Sequence, residues 1–96
     1  MIYLDNAATT RPCPEAVEAM TLALTENWGN PSATHAPGRA ARALLEDSRK
    51  AVMQALKAKN GTLIFTSGGT EADNQALKGA ARQARRRGKH IISSEA

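Results

Sequence analysis

The sequence is organised around one stretch, Thr62-Leu63-Ile64-Phe65-Thr66-Ser67-Gly68-Gly69-Thr70-Glu71, in which an apolar, β-branched run leads directly into a glycine pair. A segment compatible with a helix follows from Glu71. A strand, a glycine turn and a helix in this order are typical of an α/β protein with a ligand pocket at the carboxyl end of the strand. The stretch therefore predicts an α/β fold.

The glycine pair also predicts an anion site. Gly68 and Gly69 let the backbone turn sharply and bring amide groups close to a ligand. The first turn of the following helix adds unpaired N–H donors and a partial positive charge. Such a turn most often binds phosphate. The hydroxyls of Ser67 and Thr70 could complete the shell of donors.

Two better-known phosphate loops are absent from the sequence. There is no Gly-Lys-Ser/Thr ending, which excludes a nucleoside-triphosphate loop, and no G-x-G-x-x-G spacing, which excludes a dinucleotide fingerprint. The local residues are also compatible with a purely structural connection. In that alternative the glycines only relieve steric crowding, and Thr70 caps the helix.

The composition excludes several classes of protein. The 96 residues carry a net charge of +4 and are 42% hydrophobic, which is ordinary for a globular chain. The sequence contains no run of about 18 apolar residues, so no membrane span is predicted. Asp5 interrupts the N-terminal stretch where a signal peptide would need apolar residues. The single cysteine, Cys13, can form no disulfide within the chain and has no activating neighbour, so a cytosolic location and a structural role are expected. No spacing typical of metal ligands is present.

Apolar periodicity and turn residues predict helices at about 14–26, 38–59 and 70–87, with Asn60-Gly61 ending the second. The strand of the opening stretch would pair in parallel with a second strand at 90–94. Because a parallel sheet needs more strands and cover on both faces, we expect the chain to be part of a larger protein. The second helix should present a continuous core-facing stripe: Ala41, Leu44, Leu45, Ser48, Val52, Ala55 and Leu56.

Two further segments carry chemistry-bearing residues. The irregular stretch at 27–38 is about a dozen residues long, and such loops are often functional. His35 could move a proton there near neutral pH, or it could be structural. The end of the third helix is rich in cations, which could contact nucleic acid. Cations are also favoured at a helix C-terminus by the helix dipole, where they cap the helix. Because no aromatic residues are interleaved with them, we prefer the capping role. These cations are Arg82, Arg85, Arg86, Arg87 and Lys89.

Four blocks of the sequence carry a family resemblance that covers essentially all 96 residues. Together they resemble the N-terminal part of a cysteine desulfurase, within the class V aminotransferase group of pyridoxal-phosphate enzymes. The blocks are Tyr3-Leu4-Asp5-Asn6-Ala7-Ala8-Thr9-Thr10, Gly29-Asn30-Pro31-Ser32 with His35, Phe65-Thr66-Ser67-Gly68-Gly69-Thr70-Glu71 with Asn74, and Gly88-Lys89-His90-Ile91-Ile92.

The resemblance implies the N-terminal portion of the type I aminotransferase fold, an α/β fold that starts a mostly parallel sheet with covering helices. Residues 1–96 would be an N-terminal fragment of a larger enzyme. Residues 1–15, an arm and the start of the first helix, would contribute to the small domain. Residues 38–96 would begin the large domain that binds pyridoxal 5'-phosphate, and the family is normally a homodimer.

The resemblance also implies a site. Gly69 would hold the cofactor phosphate through its amide, and Thr70 through its amide and hydroxyl. Further residues would lie near the substrate pocket: Asn6, Ala7, Ala8, Asn30 and His35. No catalytic residue is expected within the chain, because the Schiff-base lysine, the ring-stacking histidine, the aspartate at the ring nitrogen and the catalytic cysteine would all lie beyond Ala96. Cys13 does not correspond to that cysteine.

The implied reaction removes sulfur from L-cysteine and gives L-alanine and an enzyme persulfide. The sulfur would pass to an acceptor protein such as an iron–sulfur scaffold, in the cytoplasm, with no membrane and no nucleic acid as partner. The 96 residues alone are expected to be inactive. The alternatives are another enzyme of the group, such as a selenocysteine lyase, and a non-catalytic basic binding fragment that uses the arginine-rich helix end.

Overall fold

The computed structural model describes residues 1–95, and these form three α-helices. Helix α1 spans Pro14–Thr25, α2 spans Ala36–Ala55 and α3 spans Gly69–Ala84. The chain divides into two compact units, Met1–Gly61 and Thr62–Ala96. The three predicted helices are therefore confirmed, each within a few residues of its expected bounds. Within the described residues no helix is both long enough and apolar enough to span a membrane.

Helix α1 begins where its sequence predicts. Pro14 is in the first turn, where its missing N–H costs no helical hydrogen bond, and Glu15 lies at the positive end of the helix dipole. Hydrogen bonds from the backbone amide of Glu15 itself, and secondarily from the Cys13 side chain, lower the pKa of Glu15. The apolar residues Val17, Met20 and Leu24 share one face of α1, and all three are exposed.

Helix α2 starts and ends earlier than the sequence predicts. It starts two residues before Gly38, because His35 caps it and Pro37 is tolerated in the first turn. It ends at Ala55, because Lys57 adopts a left-handed conformation with a φ of 53°. The amide of Lys57 bonds the Gln54 carbonyl, and that of Ala58 bonds the Met53 carbonyl, each at 2.9 Å. This pair of bonds is a Schellman motif, so the helix stops before Asn60-Gly61.

The predicted core-facing stripe of α2 is only partly buried. Ala41 is 6% exposed and is the one buried hydrophobic residue among those described, whereas Leu56, at the other end of the stripe, is 67% exposed. Leu44 and Val52 fall between these limits. A continuous buried stripe needs a facing layer, and residues 1–95 supply no sheet to form one.

The two predicted strands are not formed in this structure. Residues 62–66 and 90–94 have no regular secondary structure, and no strand occurs anywhere in residues 1–95. A parallel pair of strands is stable only within a larger sheet that is covered on both faces. Phe65 and Ile92, which such a sheet would bury, are largely exposed here. The sheet of the type I aminotransferase fold, and the assignment of 1–15 and 38–96 to its two domains, therefore stay predictions.

The loop before α2 packs tightly on the start of that helix. A Cβ atom at Gly38 would lie 2.5 Å from the Ala33 carbonyl oxygen and 2.8 Å from the Asn30 carbonyl oxygen. A Cβ atom at Gly29 would lie 2.4 Å from the Pro37 carbonyl oxygen. The obstructing atoms belong to the backbone, so they cannot rotate away. Both glycines are therefore required by close approach of two backbone segments.

We predict that Gly38→Ala separates this loop from α2. Overpacking of this kind costs about 1–3 kcal/mol, because the backbone must shift to accept the methyl group. Hydrogen-exchange mass spectrometry should show faster exchange for peptides covering 27–41. The matched control is Gly79→Ala, because a Cβ atom there would meet nothing within 4 Å and alanine favours the helix. Equal protection in the Gly38 variant and the parent chain would contradict the packing argument.

Candidate functional site

The turn before α3 leaves open space in front of the helix. Gly68 is the N-cap residue and has an extended backbone, with φ 170° and ψ −178°, and it has no side chain to cap the helix. The first helical hydrogen bond runs from the Ala72 amide to the Gly68 carbonyl at 3.1 Å. The amides of Gly69 and Thr70 lie before that bond, so no carbonyl of the helix can accept from them.

The two glycines are not needed for the path of the backbone. An extended φ is open to any residue, and among the described glycines only Gly61, with a φ of 119°, occupies the left-handed region that favours glycine. A Cβ atom at Gly68 or Gly69 would meet no atom within 4 Å. The chain bends at Ser67 and Gly68 as expected, but the extended backbone of Gly68 does not require glycine. The alternative that the glycines relieve crowding is wrong in this structure. Their effect here is to keep the space at the helix N-terminus free.

Thr70 is available as a donor on this turn. It is the second residue of α3 rather than its cap, so the structural alternative in which Thr70 caps the helix is also wrong. Its carbonyl accepts a hydrogen bond from the Asn74 side-chain amide at 2.8 Å. No hydrogen bond of its hydroxyl is found among the described residues, and the residue is exposed. Its amide and hydroxyl can therefore both serve a ligand.

Ser67 is committed to Glu71 instead of to a ligand. The Ser67 amide donates to Glu71 Oε2 at 3.0 Å, and the Ser67 hydroxyl donates to the same oxygen at 2.5 Å. The hydroxyl bond, followed by the amide bond, lowers the pKa of the Glu71 carboxyl. Thr66 adds a hydroxyl bond to the Gly68 carbonyl at 3.0 Å. We call the paired Ser67–Glu71 bonds the carboxylate clamp. This feature was not predicted from the sequence.

The donor set of the turn suits a phosphate group. Gly69 offers one amide, and Thr70 offers an amide and a hydroxyl, all at the positive end of α3. The clamp turns the Glu71 carboxylate back toward Ser67, where its charge is held by two donors. Within the described residues, no cluster of histidine, cysteine or carboxylate side chains could hold a metal ion. The turn is therefore a candidate anion site.

His35 and Asn30 have structural roles in the loop before α2. His35 is the N-cap of α2, and its Nδ1 accepts a hydrogen bond from the Gly38 amide at 3.3 Å. Asn30 accepts the Ser32 amide on Oδ1 and the Ala33 amide on its carbonyl, each at 2.9 Å. These bonds favour the structural interpretation of His35, whose Nε2 is the nitrogen not used by the cap.

The remaining predicted pocket residues form an exposed turn. Asn6, Ala7 and Ala8 follow Asp5, whose carbonyl accepts the Ala8 amide at 3.1 Å. The Thr10 hydroxyl donates to the Asn6 carbonyl at 3.3 Å. This turn and the loop before α2 belong to the unit Met1–Gly61, whereas the anion turn belongs to the unit Thr62–Ala96. Their grouping in one substrate pocket stays a prediction.

We predict that the carboxylate clamp opens in acid. Because the pKa of Glu71 is lowered in the folded chain, the clamp stabilises the turn above the ordinary pKa of 4.5, and this contribution is lost as the pH falls through the lowered value. The amide proton of Ser67, followed by NMR, should therefore titrate with a midpoint below 4.5.

Two variants test this assignment. Glu71→Gln should abolish the titration of the Ser67 amide, and Asp73→Asn, which removes the same charge two residues further along α3, should leave it unchanged. A Ser67 amide that does not respond to pH in the parent chain would contradict the clamp.

Comparison with known proteins identifies the family. The aminotransferase class-V family model matches residues 2–96. A curated NifS/IcsS protein homolog of Lactobacillus delbrueckii is 50% identical over 98% of this chain and 24% of its own length. A cysteine desulfurase IscS of Dictyoglomus turgidum is 48% identical over 98% of this chain and 24% of its own length. The cysteine desulfurase IscS of Methanosarcina thermophila is 47% identical over 97% of this chain and 23% of its own.

No solved structure matches the chain. The chain spans about a quarter of the length of the curated relatives it matches. The resemblance to the N-terminal part of a cysteine desulfurase is confirmed, and the chain belongs to the class-V aminotransferase family.

Proposed function

We propose that this chain is the phosphate-anchoring segment of a cysteine desulfurase that depends on pyridoxal 5'-phosphate. The main support for this is the open N-terminus of α3, where the amides of Gly69 and Thr70 have no carbonyl acceptor within the helix. The names of the relatives support the reaction, since several are cysteine desulfurases at 40–50% identity. The family supports the cofactor, and the geometry supports a site for its phosphate.

The role of this segment is to hold the cofactor in place. Pyridoxal phosphate, when bound, supplies an electron sink for bond cleavage at the substrate. The amides of Gly69 and Thr70 and the Thr70 hydroxyl would bind its phosphate as charge-assisted hydrogen-bond donors. The carboxylate clamp keeps Glu71 from competing for these donors. Fixing the phosphate restricts the position of the ring, which is a contribution of orientation and not of bond making.

The proposal places the bond-making residues outside this chain. The lysine that would bind the cofactor and the nucleophilic cysteine would have no counterpart in residues 1–96. The Cys13 side chain hydrogen-bonds Glu15 at the start of α1. The isolated chain is therefore proposed to be inactive. The complete protein would take L-cysteine, release L-alanine and leave a persulfide for a sulfur-acceptor protein such as an iron–sulfur scaffold.

The remaining features of the proposal come from the family. The complete protein would be a cytoplasmic homodimer, and a single cysteine in this chain accords with a reducing compartment. Asn6, Ala7 and Ala8 would lie near the substrate end of the pocket, and the loop with Asn30 and His35 would frame it. The structure gives His35 and Asn30 bonds that keep this loop in one conformation, which supports a framing role.

We predict that Gly69→Pro weakens cofactor binding and that Gly69→Ala does not. Proline fits the first position of a helix but has no N–H, so the variant deletes one donor and preserves α3. Alanine retains the N–H, and its Cβ atom would meet nothing within 4 Å. A hydrogen bond to a charged group contributes about 1.5–3 kcal/mol, so the proline variant should bind about 10- to 100-fold more weakly.

The measurement is a fluorescence titration of the cofactor-free complete protein with pyridoxal phosphate. Thr70→Val should give a loss of the same order, because it removes the hydroxyl and retains the shape. Thr25→Val, which removes an exposed helical hydroxyl bonded to the Thr21 carbonyl, is the matched control. Equal affinity for the Gly69→Pro and Gly69→Ala proteins would refute the anchoring role.

We predict that the complete protein prefers L-cysteine over L-selenocysteine. Alanine formation from each substrate, measured together with sulfide or selenide release, should favour cysteine, as the names of the relatives indicate. The isolated 96-residue chain, assayed in parallel, should form no alanine. A preference for selenocysteine would instead support a selenocysteine lyase.

A further inference from the structure

The end of α3 carries an excess of positive charge. All six charged side chains between residues 74 and 94 are cationic, and five of them fall within 82–89. We call these five the α3 basic cluster: Arg82, Arg85, Arg86, Arg87 and Lys89. The nearest carboxylates along the chain are Asp73 and Glu95. The cluster is therefore a local feature and not an average of the net charge of +4.

The backbone presents the cluster around one end of the helix. Helix α3 ends at Ala84, and Arg85 is still in helical conformation with φ −53° and ψ −25°. The Ala84 carbonyl accepts the amides of Arg87 at 2.7 Å and Gly88 at 3.3 Å. The chain thus continues for one more turn, with successive side chains about 100° apart around the axis. All five members of the cluster are exposed.

Within residues 1–95, no ion pair is found for any member of the cluster. The ion pairs found within the described residues are Glu46 with Arg49 and Asp47 with Lys50, both on α2. The dipole of α3 offers about half an elementary negative charge at this end. Five cations therefore exceed what capping of the helix can use, and most of their charge faces solvent. The capping role preferred from the sequence accounts for only part of the cluster.

Two recesses beside the cluster are lined in part by alanines. One is lined by Ala80, Gln83, Ala84 and Arg87. The other includes Ala81, Ala84, Arg85 and Lys89. Small alanine side chains let an approaching chain come close to the helix. Each recess is also lined by an arginine, whose planar guanidinium can match a carboxylate with two parallel hydrogen bonds. The surface therefore combines positive charge with two recesses that each include an arginine.

We propose that the α3 basic cluster binds an acidic segment of a partner protein. Nucleic acid is less well matched, because no Phe, Tyr or Trp follows Phe65 in the sequence to stack on bases. Five cations are also fewer than the roughly 6–10 phosphate contacts of a strongly salt-dependent DNA-binding protein. Charge complementarity and the two recesses instead fit spaced carboxylates. This inference does not depend on the anion turn or on the cofactor.

The test is binding of a fluorescein-labelled peptide of about eight glutamates to the complete protein, measured by anisotropy. Affinity should fall as salt rises from about 50 to about 200 mM, because counterions screen the charges. The triple variant Arg85→Gln, Arg86→Gln, Arg87→Gln should bind at least about tenfold more weakly, since it removes the guanidinium of each recess while glutamine maintains the helix. The matched triple Arg42→Gln, Lys57→Gln, Lys59→Gln removes the same charge elsewhere and should change the affinity by no more than about twofold.

Three outcomes would overturn the proposal. Equal losses of affinity in the two triple variants would show that only the net charge matters. If the parent protein does not bind the peptide, the proposal fails. Tighter binding of a single-stranded oligonucleotide of equal charge would assign the surface to nucleic acid. If circular dichroism shows that the triple variant has lost helix, the single variants Arg85→Gln and Arg87→Gln, one in each recess, provide the same comparison.

Discussion

The structure depends on how the backbone amides at the start of each helix find hydrogen-bond acceptors. These amides have no acceptor within the helix and must find another partner. In α1 a proline in the first turn removes one of them, and in α2 the imidazole of His35 accepts the Gly38 amide. The N-cap of α3 is Gly68, which has no side chain to offer. The first amides of α3 therefore remain available to a ligand, and the candidate site follows from that.

Local hydrogen bonds, more than burial, set the conformation of the described residues. Ala41 is the buried hydrophobic residue found among them, while large apolar side chains on α1 and in the 62–66 stretch face solvent. The Schellman motif at Lys57, the cap at His35 and the carboxylate clamp each join residues within five positions of one another. Such short-range bonds form without a sheet or a second layer. The same chain within a larger fold would gain the apolar burial that stabilises a domain.

The sequence was sufficient for the helices and for the position of the anion turn, because both depend on neighbouring residues. The predicted end of α2 was wrong, because nothing in the sequence marks Lys57 as left-handed, whereas the nearby Asn60-Gly61 is a common helix stop. The sequence also predicted strands that did not form, because strand formation depends on pairing with distant segments. At the site it placed Gly69 and Thr70 at the start of α3 but offered Ser67 as a ligand. Glu71 is the third residue of α3, the position from which a capping-box glutamate reaches back to the preceding backbone, and that signal could have revealed the clamp.

The close approach of Gly29 and Gly38 to opposing backbone has a consequence for how this region can vary. The loop and the first turn of α2 interlock at two points, where carbonyl groups occupy the space a side chain would need. Their spacing along the chain is thereby fixed, so an insertion or deletion between them would break both contacts at once. The segment should therefore behave as one unit of constant length when it is exchanged between relatives. A chimera with its junction inside this segment would lose the fit, and one with its junction before Gly29 or after Gly38 would preserve it.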